Sequence, residues 1–121
     1  MANWTELKQF LYSNYKIDND SGDTLRMLFD VGNGRSQFIS VHHFDPVVTF
    51  AAPFGKATDI QPATVLKSAF PFGVAQVGDF YTLIHTTWLA TLDELEVHAP
   101  IQFLVLRADQ LEQQLTGKDV F

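Results

Sequence analysis

The sequence predicts an α+β domain: a five-stranded antiparallel sheet with helices, in the order α-β-β-β-α-β-β-α. Three observations lead there. Apolar residues recur at three- and four-residue spacing near both ends of the chain, and at every second residue through much of the middle. The segments of period two fall into a group of three and a group of two, joined by short connections rich in Gly, Pro and Asp. That grouping favours antiparallel pairing over the strand–helix alternation of a parallel sheet. Finally, a chain of 121 residues suffices for one hydrophobic core, so residues 1–121 read as a single domain.

Each element has a local cause. Asn3-Trp4-Thr5-Glu6 reads as a capping box, with Asn3 accepting from the third helical amide and Glu6 reaching back to the cap amide. Leu7, Phe10, Leu11 and Tyr15 then form one helical stripe. The polar run Asp18 to Asp23 stops it and reads as a turn. From Thr24 the period becomes two, with Leu25, Met27, Phe29 and Val31 on one face. Gly32-Asn33-Gly34 turns the chain into a second strand, Gln37 to Phe44. Asp45-Pro46 makes the next corner, and a third strand runs from Val47 to Ala52, ended by Pro53 and Gly55.

Pro62 suits the first turn of a helix, where a missing amide hydrogen costs nothing. Ala63, Val65, Leu66 and Ala69 give that helix its apolar side, and Pro71 and Gly73 close it. Val74–Val77 and Phe80–Leu89 flank Gly78-Asp79, a two-residue hairpin turn. Thr91-Leu92-Asp93-Glu94 reads as a second capping box. Behind it Leu95, Ile101, Leu104, Val105, Ala108, Leu111 and Leu115 form a long stripe. Pro100 inside this stripe predicts a break or kink near Val97 to Ala99. The tail from Gly117 reads as loose.

Composition narrows the chemistry. With 8 Lys and Arg against 14 Asp and Glu, the net charge is −6. No basic face is available to release counterions from nucleic acid, so that partner class is not expected. The absence of cysteine removes disulfide scaffolds, Cys-ligated zinc, iron–sulfur clusters and thiol nucleophiles. The start of the sequence has no basic region followed by an apolar stretch, and no apolar run approaches the ~20 residues of a membrane span. A cytoplasmic protein without membrane partners is the expectation.

No catalytic, cofactor or metal site is predicted. His42-His43-Phe44-Asp45 is the most suggestive cluster, and a metal-dependent or other enzyme using His42, His43 and Asp45 is the alternative reading. Adjacent strand residues point to opposite faces, however, so His42 and His43 cannot share one ion in a regular strand. Read as a calcium loop from Asp18, the sixth position is Asp23 and the twelfth Phe29, where glycine and glutamate are required. No serine lies in a nucleophile elbow, and Gly32-Asn33-Gly34 leads into a strand, so no helix amino terminus follows it to bind phosphate. A ligand-sensing domain is a third reading, for which the sequence offers no pocket signature.

The strand patterns carry more. In Phe80–Leu89, one face takes Tyr81, Leu83, His85, Thr87 and Leu89, the other Phe80, Thr82, Ile84, Thr86 and Trp88. Phe38 and Phe44 likewise alternate with Ile39 and Val41. Both faces hold large apolar groups diluted by Ser and Thr. If helices cover one face only, Phe38, Phe80, Ile84 and Trp88 are the candidates for an interface with a second subunit or a partner.

The element order, together with Phe72-Gly73-Val74-Ala75 leading through Gly78-Asp79-Phe80 into Tyr81-Thr82-Leu83, resembles the YbjN-like proteins of the type III secretion chaperone-like superfamily. The final Val105-Leu106-Arg107-Ala108-Asp109-Gln110-Leu111-Glu112 is similar to that family's last helix. One position departs: many YbjN-like sequences carry an asparagine near the end of the second helix, where this chain has Ser68-Ala69-Phe70. The resemblance implies a small acidic cytosolic homodimer, chaperone-like or regulatory, that binds other polypeptides. In secretion chaperones an extended client segment is held along apolar grooves. The −6 charge then serves solubility.

Overall fold

The computed structural model describes residues 1–117 and 121. Helix α1 spans Trp4–Asn14, capped by Asn3, whose Oδ1 accepts from the Glu6 amide at 2.9 Å. The Glu6 carboxylate reaches one residue further than a capping box requires, to the Ala2 amide at 3.0 Å. Leu7 and Leu11 are fully buried, with Phe10 and Tyr15 partly buried beside them.

The sheet has six strands, not five. The added strand is β1, Ile17–Asp20, overlapping the Asp18–Asp23 segment expected to be a turn. Only Ile17 is partly buried there, so no alternation of polarity announces a strand. Backbone pairing makes it: β1 lies antiparallel to β2 (Thr24–Gly32), with an irregularity between Ile17 and Asn19. Side chains hold it in place. Arg26 pairs with Asp18, while Lys8 and Tyr12 of α1 both donate to Asp20, at 3.0 and 2.8 Å.

Strands β2, β3 (Arg35–Phe44) and β4 (Val47–Lys56) form the expected meander. Its first turn needs a left-handed backbone at Asn33 and Gly34, with φ of 55° and 74°. Strand β4 continues four residues beyond Ala52, through Pro53. A bulge between Pro53 and Gly55 accommodates the proline, as bulges do. There the fully buried Gln37 side chain takes over the bonding, its Nε2 donating to the carbonyls of Pro53 (2.9 Å) and Phe38 (3.0 Å). The extension brings Phe54 into the core, fully buried.

Helix α2 is Pro62–Ser68, and β5 (Gly73–Val77) with β6 (Phe80–Trp88) is the expected hairpin. Strand β6 inserts between β4 and β5, giving the order β1-β2-β3-β4-β6-β5 with every neighbour antiparallel. Helix α3 spans Glu94–Thr116. Its capping box sits two residues later than expected, formed by Asp93 and Glu96. It runs unbroken through Pro100. Proline in a helix costs about 3 kcal/mol, but Val97, Ile101, Leu104, Val105, Ala108 and Leu111 are buried on both sides of it. Several buried aliphatic side chains, at about 1.5–3 kcal/mol each, outweigh that cost. Leu95, expected on the buried stripe, is exposed instead.

All three helices lie on one side of the sheet. Helix α3 crosses β2, β3, β4 and β6. From α1, Trp4 stacks on His43 at 5.1 Å, and Tyr15, in the residue after the helix, meets Phe29 edge-on at 5.5 Å. Helix α2 buries Val65 in the same core, and its Ser68 carbonyl accepts from Arg107 of α3. Where β3 meets the end of α3, Arg35 pairs with Asp109 at 2.9 Å and with the fully buried Glu112 at 3.6 Å. The tail expected beyond Gly117 falls on residues 118–120, outside those described. Phe121 itself is buried, its amide donating to Glu112 and its ring against Phe80. Among the described residues no helix is long and apolar enough to cross a membrane.

Candidate functional site

Alternation sends half of every strand to the face that no helix covers. Register then arranges those residues in rows across the sheet. Phe44 of β3 pairs with Val47 of β4, which pairs with Trp88 of β6. This row is apolar from end to end; its outer members are exposed, Phe44 by 78% and Trp88 by 62%, and Val47 between them is half-buried. The next row is Thr24, His42, Thr49 and Thr86, in which the Thr49 and Thr86 hydroxyls bond each other at 2.8 Å. A third row, Arg26, Ser40, Ala51 and Ile84, has small groups at its centre. Ala51 is nearly inaccessible there, shaded by its neighbours.

The four residues expected at an interface are therefore not equivalent. Trp88 stands out from the sheet and Ile84 is half-buried. Phe38 is half-buried beneath the Arg26 guanidinium, which sits 4.6 Å from its ring centroid. Phe80 is partly covered by Phe121, 5.0 Å away ring to ring. Sequence reasoning missed Phe44 and Val47 as members of the row. The signal was present: a two-residue Asp45-Pro46 turn forces the residues on either side of it to face each other.

On this face β3 and β6 carry no Asp, Glu, Lys or Arg, and β4 carries only Lys56 at its far end, opposite Phe80. Beside the apolar row the titratable side chain is His42, whose Nδ1 lies 3.3 Å from the Thr24 hydroxyl. Burial holds its pKa below the ordinary 6.5, favouring the neutral ring. In a chain of net charge −6, a charge-depleted apolar surface has the composition found at the centre of protein interfaces.

The alternative cluster is taken apart by the same alternation. His43 faces the helices, stacked on Trp4, its Nδ1 3.2 Å from Asp23 and its Nε2 4.0 Å from Asp45. His42 faces the other way. Among the described residues, no three His, Asp or Glu side chains come together to hold a metal ion. In the Asp18–Asp23 segment, Asp20 already accepts from the Gly22 amide, Tyr12 and Lys8. Those bonds pull its pKa down to about 2.

Comparison of the chain with protein-family models, with curated proteins and with solved structures finds no match in any of the three.

Proposed function

We propose that this protein is a non-catalytic binding module, chaperone-like or regulatory, that works in the cytoplasm as a homodimer and acts through contacts with other polypeptides. The observation that carries the reading is the apolar Phe44–Val47–Trp88 row, with Phe44 and Trp88 exposed, on a helix-free sheet face whose charged residues, Arg26, Asp30 and Lys56, lie away from that row. A second copy is the occupant this face suits best. Four strands of nine or ten residues present roughly 600 Å² in flat projection, more when side chains are followed, against about 800 Å² per partner in a standard interface. The resemblance to the YbjN-like and secretion-chaperone group supports the same reading. Strands β2 to β6 follow the implied order of helix, three strands, helix, two strands, helix, with β1 as an addition.

Sedimentation equilibrium at micromolar concentration tests it. The wild type is expected to be a dimer, and Trp88→Glu a folded monomer. A wild-type monomer rejects the proposal, and unfolding of Trp88→Glu would place Trp88 in the core.

A second surface for the same association has its own observation. Edge strands in natural proteins are usually guarded by charge, proline or bulges. Edge β1 has two aspartates and an irregularity, whereas edge β5, Gly73-Val74-Ala75-Gln76-Val77, has none of these. Val77 is exposed on it. If copies pair there, Val77→Lys weakens the dimer and Trp88→Glu does not.

A further inference from the structure

The helix side carries an apolar surface that dimerisation through the sheet leaves unused. Helix α3 buries one side against the strands, yet its outer side also has a stripe, Ala99, Phe103 and Leu106 at four- and three-residue spacing. A groove of about 410 Å³ runs along that stripe, lined by Ala99, Gln102, Phe103, Leu106, Arg107 and Gln110. Its size falls in the range of roughly 300–1,000 Å³ typical of small-molecule sites. The wall is fixed, because Phe103 packs edge-on against Phe72 at 5.2 Å.

Charge along this groove is polarised. Among the described residues, Arg107 is the one charged side chain lining it, and no carboxylate does. The guanidinium is held at one end by the Ser68 carbonyl (2.5 Å) and approaches Gln110 Oε1 (3.5 Å). Two acceptors leave donors over from its five N–H groups. At the other end the groove continues past Ala99 into a hollow of about 370 Å³ lined by His85, Thr87, Leu95 and Glu96. From Glu96 to Arg107 is about 16 Å along the helix axis.

We propose that the groove binds an amphiphilic monocarboxylate, of which a medium-chain fatty acid is the simplest. Its carboxylate pairs with Arg107 in a charge-assisted bond, and its tail lies over Leu106, Phe103 and Ala99. The reverse orientation would set the carboxylate against Glu96. A cationic amphiphile has no comparable anchor, since Glu96 is exposed and committed to the Asp93 capping box.

The test is calorimetric titration of the full chain with decanoate, decanol and decyltrimethylammonium, each below its micellar concentration. Wild type is expected to bind decanoate saturably and more tightly than either analogue. Arg107→Gln should weaken decanoate about tenfold, the size of one charged hydrogen bond, while leaving decanol unchanged. Arg107→Lys should recover part of the loss. Should Arg107→Gln fail to fold, Leu106→Asp decides, because Leu106 is exposed and its replacement sets a carboxylate against the tail. It should abolish decanoate binding in a folded chain. Absence of saturable binding, equal affinity for decyltrimethylammonium, or an unchanged decanoate affinity in Arg107→Gln or Leu106→Asp overturns the proposal.

Discussion

His42 and His43 are neighbours in the chain and inhabit different molecules, in effect. His43 is stacked on Trp4 beneath α1, held by Asp23, while His42 looks out from the opposite side of the same strand toward Thr24. The whole sheet repeats that contrast. Toward the helices, Leu25, Met27, Ile39, Val41, Phe50 and Leu83 are fully buried. Away from them the same strands offer Phe44, Val47 and Trp88 alongside threonine hydroxyls and small groups. One pattern of alternation thus makes two unlike faces: the helix face supplies the stability, and the other is the one proposed for association.

The contrast has its largest expected effect at Phe50, which sits fully buried in β4 with His85 stacked against it. Phe50→Ala removes a core ring whose loss costs about 3–5 kcal/mol in folded cores. Chemical denaturation should show this as a large fall in midpoint with little change in slope. Trp88→Glu, three residues from His85 on β6 and on the other face, should change the stability of the monomer by no more than about 0.5 kcal/mol, as exposed substitutions do. A large loss from Trp88→Glu, or a small one from Phe50→Ala, would erase the distinction between the faces.

Where the sequence was legible, local chemistry decided the outcome. The Asn3 cap, the Asn33-Gly34 and Gly78-Asp79 turns, the meander and the β5–β6 hairpin all follow from residues close together in the chain. What escaped depends on distant partners. Strand β1 exists because its backbone pairs with β2, and Arg26, Lys8 and Tyr12 hold its aspartates in place. Pro53 continues β4 because of a bulge and Gln37, and Pro100 fails to break α3 because of burial on either side. The same division holds at the candidate site. Trp88 and Ile84 were visible from alternation within one strand, but the joining of Trp88 to Val47 and Phe44 required cross-strand register. The exposed side of α3 was hidden for another reason: Leu95 fitted the buried stripe by spacing, and only packing shows that it points outward.

The smallest expected effect lies at His42, and its sign follows from burial. The folded chain holds this imidazole's pKa below 6.5, near which the unfolded chain titrates. On acidification the unfolded state therefore takes up a proton first. The contribution is fully present above pH 6.5 and is lost as the pH falls through the folded value. His42→Gln should flatten that part of the stability profile, measured by urea denaturation on either side of 6.5. The histidine also reports on the face it occupies, since it sits one row from Phe44, Val47 and Trp88. A second copy over that face would desolvate the ring further and lower its pKa again. Titration followed by NMR should thus give a lower value in wild type than in Trp88→Glu. Equal values, with wild type still dimeric, would move the interface off this end of the sheet and toward the unguarded β5 edge.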